Sequence, residues 1–163
     1  MSVRTDLPRN AALRRDILLA ERYYGGPNNV FWDSDGRWVQ IPRWKLPRNG
    51  QFRSNVATTP ILLMVPEGYG EVRGEGHGLE EFYIHPDVRI SKDGSWVTIP
   101  HTYTGVDRRH GAAIGKGWRY LCVHSDWNPQ RDNILTALNL VALFLSDPWA
   151  FERLAHRNGR ADD

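Results

Sequence analysis

Leu13, Ile17, Ala20 and Tyr24 recur at the three-to-four spacing of one helix face, with Asn10 before them as a cap and Gly25-Gly26 after them as a stop. The pattern predicts a first helix. Beyond it the period shortens: Trp38, Val39 and Ile41 favour a strand, and Asp33-Ser34-Asp35-Gly36 is a turn that pairs it with Val30-Phe31-Trp32 as an antiparallel hairpin. After a break at Pro47-Arg48-Asn49-Gly50, the run Thr58 to Val65 predicts a buried central strand whose start is marked by Pro60. Glu81 to Ile84 and Val88 to Ile90 read as a strand region broken at Pro86, and Trp96 to Ile99 as a short strand.

From Pro100 to Gly117 no period is visible, and the segment reads as an irregular loop. Asp132 or Asn133 then caps a helix with Ile134, Leu135, Leu138, Val141, Ala142 and Leu145 on one broad apolar face, ended by Asp147-Pro148. Trp149 to His156 continues as a short helix, and 157–163 is a polar tail. A helix, several antiparallel strands and closing helices predict an α+β domain, its helices packed on one face of the sheet. The chain of 163 residues fits a single domain over 1–163, with its core over about 10–156.

Apolar residues at 40% and charged residues at 25% belong to a globular protein. The net charge of +2 comes from 21 basic and 19 acidic residues scattered along the chain, so no nucleic-acid partner is expected. The longest apolar run, Leu140 to Leu145, is too short to cross a bilayer, and Met1 to Asp6 has no apolar leader, which predicts a cytoplasmic protein with no membrane partner. A single cysteine agrees with a reducing compartment.

That cysteine, Cys122, stands between a strand-like stretch and the turn Trp127-Asn128-Pro129, with His124 two residues on. A thiol so placed is a candidate nucleophile, and the competing reading is a small apolar residue packed under the last helix. His124 could lower the thiol pKa as imidazolium, take a proton from an amine or donate to an oxyanion, and shares a face with Cys122 only where the chain is extended. Asp126 could orient His124 or act on an attacking lysine, while Asn128 and Asn133 are candidate oxyanion donors or simply turn and cap residues.

His77, His101 and His110 lack regular ligand spacing and there is no second cysteine, so neither a metal nor a cofactor is expected; His101 or His110 could instead reach the cleft from the loop. Glycines 68, 70, 74, 76 and 78 lack a Gly-Lys-Ser/Thr ending, and Glu71, Glu75 and Glu80 would repel an anion, so the segment reads as a flexible flap. Trp38, Trp44, Trp96 and Trp118 are expected in core and cross-strand packing.

The order Tyr120-Leu121-Cys122, Trp127-Asn128-Pro129, an aliphatic helix and Ser146-Asp147-Pro148 resembles the ubiquitin-conjugating (E2, UBC-like) family, in particular the bacterial E2-like group found beside E1-like and JAB-like proteins. Trp38-Val39-Gln40-Ile41 with Leu46-Pro47, Leu62 to Tyr69, and Phe82-Tyr83-Ile84 are similar to its strands and to the tyrosine turn before its flap. The resemblance spans roughly residues 30 to 148 and implies an antiparallel meander with an N-terminal helix. It implies a thioester on Cys122, taken from an E1-like protein carrying a ubiquitin-like modifier and passed to a target amine, with a JAB-like deubiquitinase in the same system and a setting in bacterial antiviral defence. It also implies E1 contact through Arg14, Arg15 and Arg22 of the first helix, which otherwise read as a solvated face.

The chain departs from the family where a His-Pro-Asn motif should precede the cysteine. His85-Pro86-Asp87 lies too far upstream and reads as structural, which shifts the chemistry onto His124. The missing asparagine favours a noncatalytic E2-like adaptor as the alternative, and a cysteine hydrolase using Cys122 and His124 is a third reading.

Overall fold

A computed structural model describes residues 7–48, 53–104 and 118–150. Helix α1 runs over Ala11–Tyr23 and α2 over Ile134–Ser146, with strands β1 (Phe31–Trp32), β2 (Trp38–Lys45), β3 (Thr58–Met64), β4 (Glu81–Ile84), β5 (Arg89–Lys92), β6 (Ser95–Thr98), β7 (Thr102–Tyr103) and β8 (Arg119–Cys122). The fold is α+β. Six strands form one sheet in the order β1-β2-β3-β4-β8-β7, each pair antiparallel, and β5 and β6 make a separate hairpin.

The helices begin where the sequence places them. The Asn10 side chain accepts from the Leu13 N–H, and Asn133 accepts from Leu135 and Thr136 while the Thr136 hydroxyl answers the Asn133 N–H, a reciprocal capping box. Of the two caps open in the sequence, Asn133 is the one used.

Strand alternation divides the sheet into two apolar faces. Val39, Leu63, Phe82 and Leu121 line up across β2, β3, β4 and β8, followed by Ile41, Ile61 and Ile84, and this stripe is buried with Leu13 and Ile17 of α1 and Leu138 and Val141 of α2. Each such side chain contributes roughly 1.5–3 kcal/mol by leaving water. The opposite face carries Leu62, Met64 and Tyr83 beneath Trp38, Trp118 and Tyr120. Apolar demand from both faces explains why β3 reads as an unbroken hydrophobic run.

Pro60 lies inside β3 rather than at its start. Between Ile41, which faces Ile61, and Trp44, which faces Thr59, the register shifts, and Pro42 and Pro60 fall in that gap. Neither proline has an N–H to give, so the irregularity sits where the ladder loses least.

Three further expectations are corrected. Trp96 is 53% exposed on the β5–β6 hairpin rather than packed, although Trp44 is buried and Trp38 and Trp118 cover the second face. The stretch after Pro86 belongs to that separate hairpin and does not continue β4. The supposed loop after Pro100 contains β7, held by Arg119, whose guanidinium donates to the Thr102 hydroxyl at 2.7 Å and to its carbonyl at 2.6 Å. Residues 105–117, the expected helix beyond Ala150 and the tail at 157–163 lie outside the described residues. Among the described residues no helix is long and apolar enough to cross a membrane.

Candidate functional site

Strand β8 carries the chain from Trp118 to the candidate nucleophile and ends there. The Cys122 backbone pairs with Glu81, and the ladder runs one step further, the Val123 N–H donating to the Glu80 carbonyl at 3.2 Å. The Cys122 side chain lies outside what the structure describes. His124 follows, 62% exposed, its Nδ1 at 2.9 Å from Glu75 Oε1 and 3.8 Å from Glu80 Oε2. The histidine expected to serve the thiol thus stands against two carboxylates of the glycine-rich segment.

That segment is anchored to the core at several points. Tyr69 and Leu79 are buried, Tyr69 stands 5.8 Å from the ring of Trp127, and the Gly74 N–H donates to the Trp127 carbonyl at 2.8 Å. Gly78 lies so close under the indole that a Cβ there would sit 2.2 Å from it. Glycine is needed at 78 for close approach, a second reason for glycine beyond the mobility expected of a flap. Trp127, read in the sequence as part of a turn, is a core residue at 1% exposure.

Asp126 is exposed. Asn128 is committed to the turn before α2: its Oδ1 accepts from the Gln130 N–H at 3.0 Å, and its own N–H donates to Asp132 Oδ2 at 2.8 Å. The Asn133 oxygen is spent on the cap of α2. His85 stands beside Asp87, Nδ1 to Oδ2 3.5 Å, and meets Trp118 in a T-shaped arrangement with ring centroids 6.2 Å apart.

Glu80 is the residue that sequence reasoning missed. It is 5% exposed; Oε2 accepts from the Gly76 N–H at 2.9 Å, and Oε1 is buried with no hydrogen-bond partner. Ser125 Oγ and Trp127 Nε1 are buried and unpartnered as well, so all three such side-chain atoms among the described residues belong to the segments flanking Cys122. Buried polar atoms are nearly always satisfied in native proteins, by protein groups or by ordered water. The signal was in the chain: Glu80 shares the parity of Phe82 and Ile84, both core residues.

At the start of α2 the hydrogen bonds close on one carboxylate. Asp16, with no exposed surface, accepts from the Tyr69 hydroxyl, from the Ile134 N–H at 3.0 Å and from Arg15 Nε at 3.1 Å. Burial raises its pKa above the ordinary carboxylate value, against the pull of those donors, and burial with the Asp16 charge also raises that of Tyr69. Arg14, Arg15 and Arg22 line one shallow groove with Arg131, but Arg14 turns back to the carbonyls of Pro8 and Arg9, and Arg15 pairs with Asp16 at 3.0 Å. Arg22 is exposed.

His77 lines the cleft beside His124, whereas His101 packs edge-on against Phe144 of α2, their ring centroids 6.4 Å apart; His110 lies outside the described residues. Among the described residues no three His, Cys, Asp or Glu side chains gather as a metal site. No family model matches the chain, and no curated protein and no solved structure matches it.

Proposed function

We propose that this protein is a UBC-like, E2-like carrier: Cys122 accepts a ubiquitin-like modifier from an E1-like protein and transfers it to a target amine. The system would include a JAB-like deubiquitinase and act in bacterial antiviral defence. The observation that supports this best is the position of the Cys122 backbone, at the end of a sheet strand that pairs with Glu81, immediately before the chain reaches His124. The N-terminal helix, the antiparallel meander and the aliphatic helix after the cysteine agree with it in order and packing.

In the first step the Cys122 thiolate attacks the modifier's acyl carbon on the E1 thioester and the E1 thiolate leaves. In the second the target amine attacks the Cys122 thioester, the amine proton passes to a base, and the Cys122 thiolate departs. His124, two residues beyond Cys122 and held against Glu75, is the base we assign to this step.

Incubation with the E1-like protein, its modifier and ATP is expected to give an adduct on a nonreducing gel that thiols release and that Cys122→Ala abolishes. No adduct with those partners, or one that survives Cys122→Ala, overturns the carrier reading; retained modifier binding without an adduct establishes the adaptor instead. His124→Ala is expected to leave loading intact and slow discharge to amines by about 10²-fold, the usual contribution of a general base.

A further inference from the structure

His124 Nδ1 stands 2.9 Å from Glu75 Oε1 and 3.8 Å from Glu80 Oε2, so one ring nitrogen faces two carboxylates. A carboxylate only accepts hydrogen bonds, and a neutral imidazole has a single N–H to give. The contact therefore selects a tautomer, with the proton on Nδ1 and the lone pair left on Nε2. In water alone an imidazole side chain prefers the opposite form.

An exposed pair holds little by itself, and Glu75 and His124 are both more than half exposed. Here the backbone supplies the order. The Gly74 N–H donates to the Trp127 carbonyl at 2.8 Å and the Val123 N–H to the Glu80 carbonyl at 3.2 Å, one bond on either side of the pair. Glu80 is itself fixed, its Oε2 accepting from the Gly76 N–H at 2.9 Å. Two segments joined at both ends lose little further freedom when the side chains between them meet.

From this we propose that Glu75 is a positioning residue for His124: it holds the imidazole in the Nδ1–H form, so that Nε2 is the nitrogen that takes a proton. The part this plays in catalysis rests on the carrier reading. In discharge the target amine attacks the acyl carbon of the Cys122 thioester, the amine proton passes to Nε2, and the Cys122 thiolate leaves; the imidazolium so formed keeps its Nδ1–H on Glu75. Glu75 acts through the ring and takes no proton.

The test is the nitrogen-15 spectrum of the His124 ring in the full chain at about pH 9, well above the ordinary imidazole value, where couplings to the ring protons tell a protonated nitrogen from a bare one. His124→Ala assigns the signals. Wild type is expected to show Nδ1 protonated and Nε2 bare, and Glu75→Ala to move the major form to Nε2–H. Glu71→Ala, which removes an exposed carboxylate elsewhere on the same segment, is expected to keep the wild-type pattern. Protein loaded by the E1-like protein with modifier and ATP gives a second readout: Glu75→Ala is expected to load as wild type does, to discharge to free lysine about fivefold more slowly, which is what an exposed pair is worth, and to add no loss to His124→Ala. Circular dichroism checks the folding of each variant. Three results each overturn the proposal: a wild-type ring with its proton on Nε2, an unchanged tautomer in folded Glu75→Ala, or discharge losses that multiply in the double variant. If wild type forms no thioester, the carrier reading falls, and the tautomer alone decides whether Glu75 positions His124.

Discussion

Asp16 and Glu80 are both buried carboxylates, and the difference between them separates scaffold from site. Around Asp16 the lone pairs are answered: the Tyr69 hydroxyl, the Ile134 N–H and Arg15 bring α2, the turn at Tyr69 and the carboxylate's own helix to one point. Glu80 has Gly76 on one oxygen and nothing on the other. Both side chains have lost their water, but only one has been repaid by the fold. A carboxylate that organises a core is surrounded by donors from several elements, whereas Glu80 is held by one backbone N–H of its own segment.

The comparison breaks most visibly at Asp16. Asp16→Ala strands a buried hydroxyl and a buried helix N-terminal N–H, and is expected to cost about 3–5 kcal/mol, read as a fall in the urea midpoint at unchanged slope. Asp16→Asn retains an oxygen able to face Tyr69 and Ile134 while its amide turns to the half-exposed Arg15, which can swing into water, and should cost about 1 kcal/mol. Equal losses in the two variants would mean that charge, not hydrogen bonding, holds the junction. Gly78→Ala comes next. Its Cβ would meet the Trp127 ring at 2.2 Å, and overpacking of this kind costs typically about 1–3 kcal/mol, with a change in near-ultraviolet dichroism from the displaced indole.

How far the chain announces these features depends on how local they are. The caps Asn10 and Asn133, the Asp33 to Gly36 turn and the strands β2, β3 and β4 are legible because neighbouring residues make them. The two-residue β7 is not, since its pairing comes from β8 and from Arg119 across the sheet. At the candidate site Cys122, His124 and the Trp127 turn stand out as residue types, but the partners of His124 lie more than forty residues upstream on a segment that composition suggests is loose. Asp16 and Glu80 could both have been found: Asp16 falls inside the apolar stripe of Leu13, Ile17 and Ala20, and Glu80 keeps step with Phe82. A charge at a core position is the signal, and which of the two is satisfied depends on donors that the fold brings from distant segments.

Acid titration sharpens the contrast between kinds of carboxylate. Burial raises Asp16 above the ordinary value of 3.8, so its contribution to stability is present below pH 3.8 and is lost as pH rises through the folded value. Asp33 and Asp132 behave oppositely. Hydrogen bonds from Arg37 hold Asp33 below 3.8, and those from Arg131 do the same for Asp132, so their contributions are present above 3.8 and are lost as pH falls through the lowered values. The stability of wild type relative to Asp16→Asn should therefore shrink from pH 3 to pH 7, while that relative to Asp33→Asn should grow over the lower part of that range. Parallel curves from chemical denaturation would remove the distinction.

The smallest effect is the most telling. Glu80→Gln removes a charge from a buried position, yet its Oε1 has no donor to lose and an amide oxygen can still accept from Gly76, so stability is expected to move by less than about 1 kcal/mol. Placed beside Asp16→Ala, two changes at equally buried carboxylates then differ by several kcal/mol in stability. A loss of 3 kcal/mol or more in Glu80→Gln would mean that the unpaired oxygen is held by the fold after all, and the two carboxylates would belong to one scaffold.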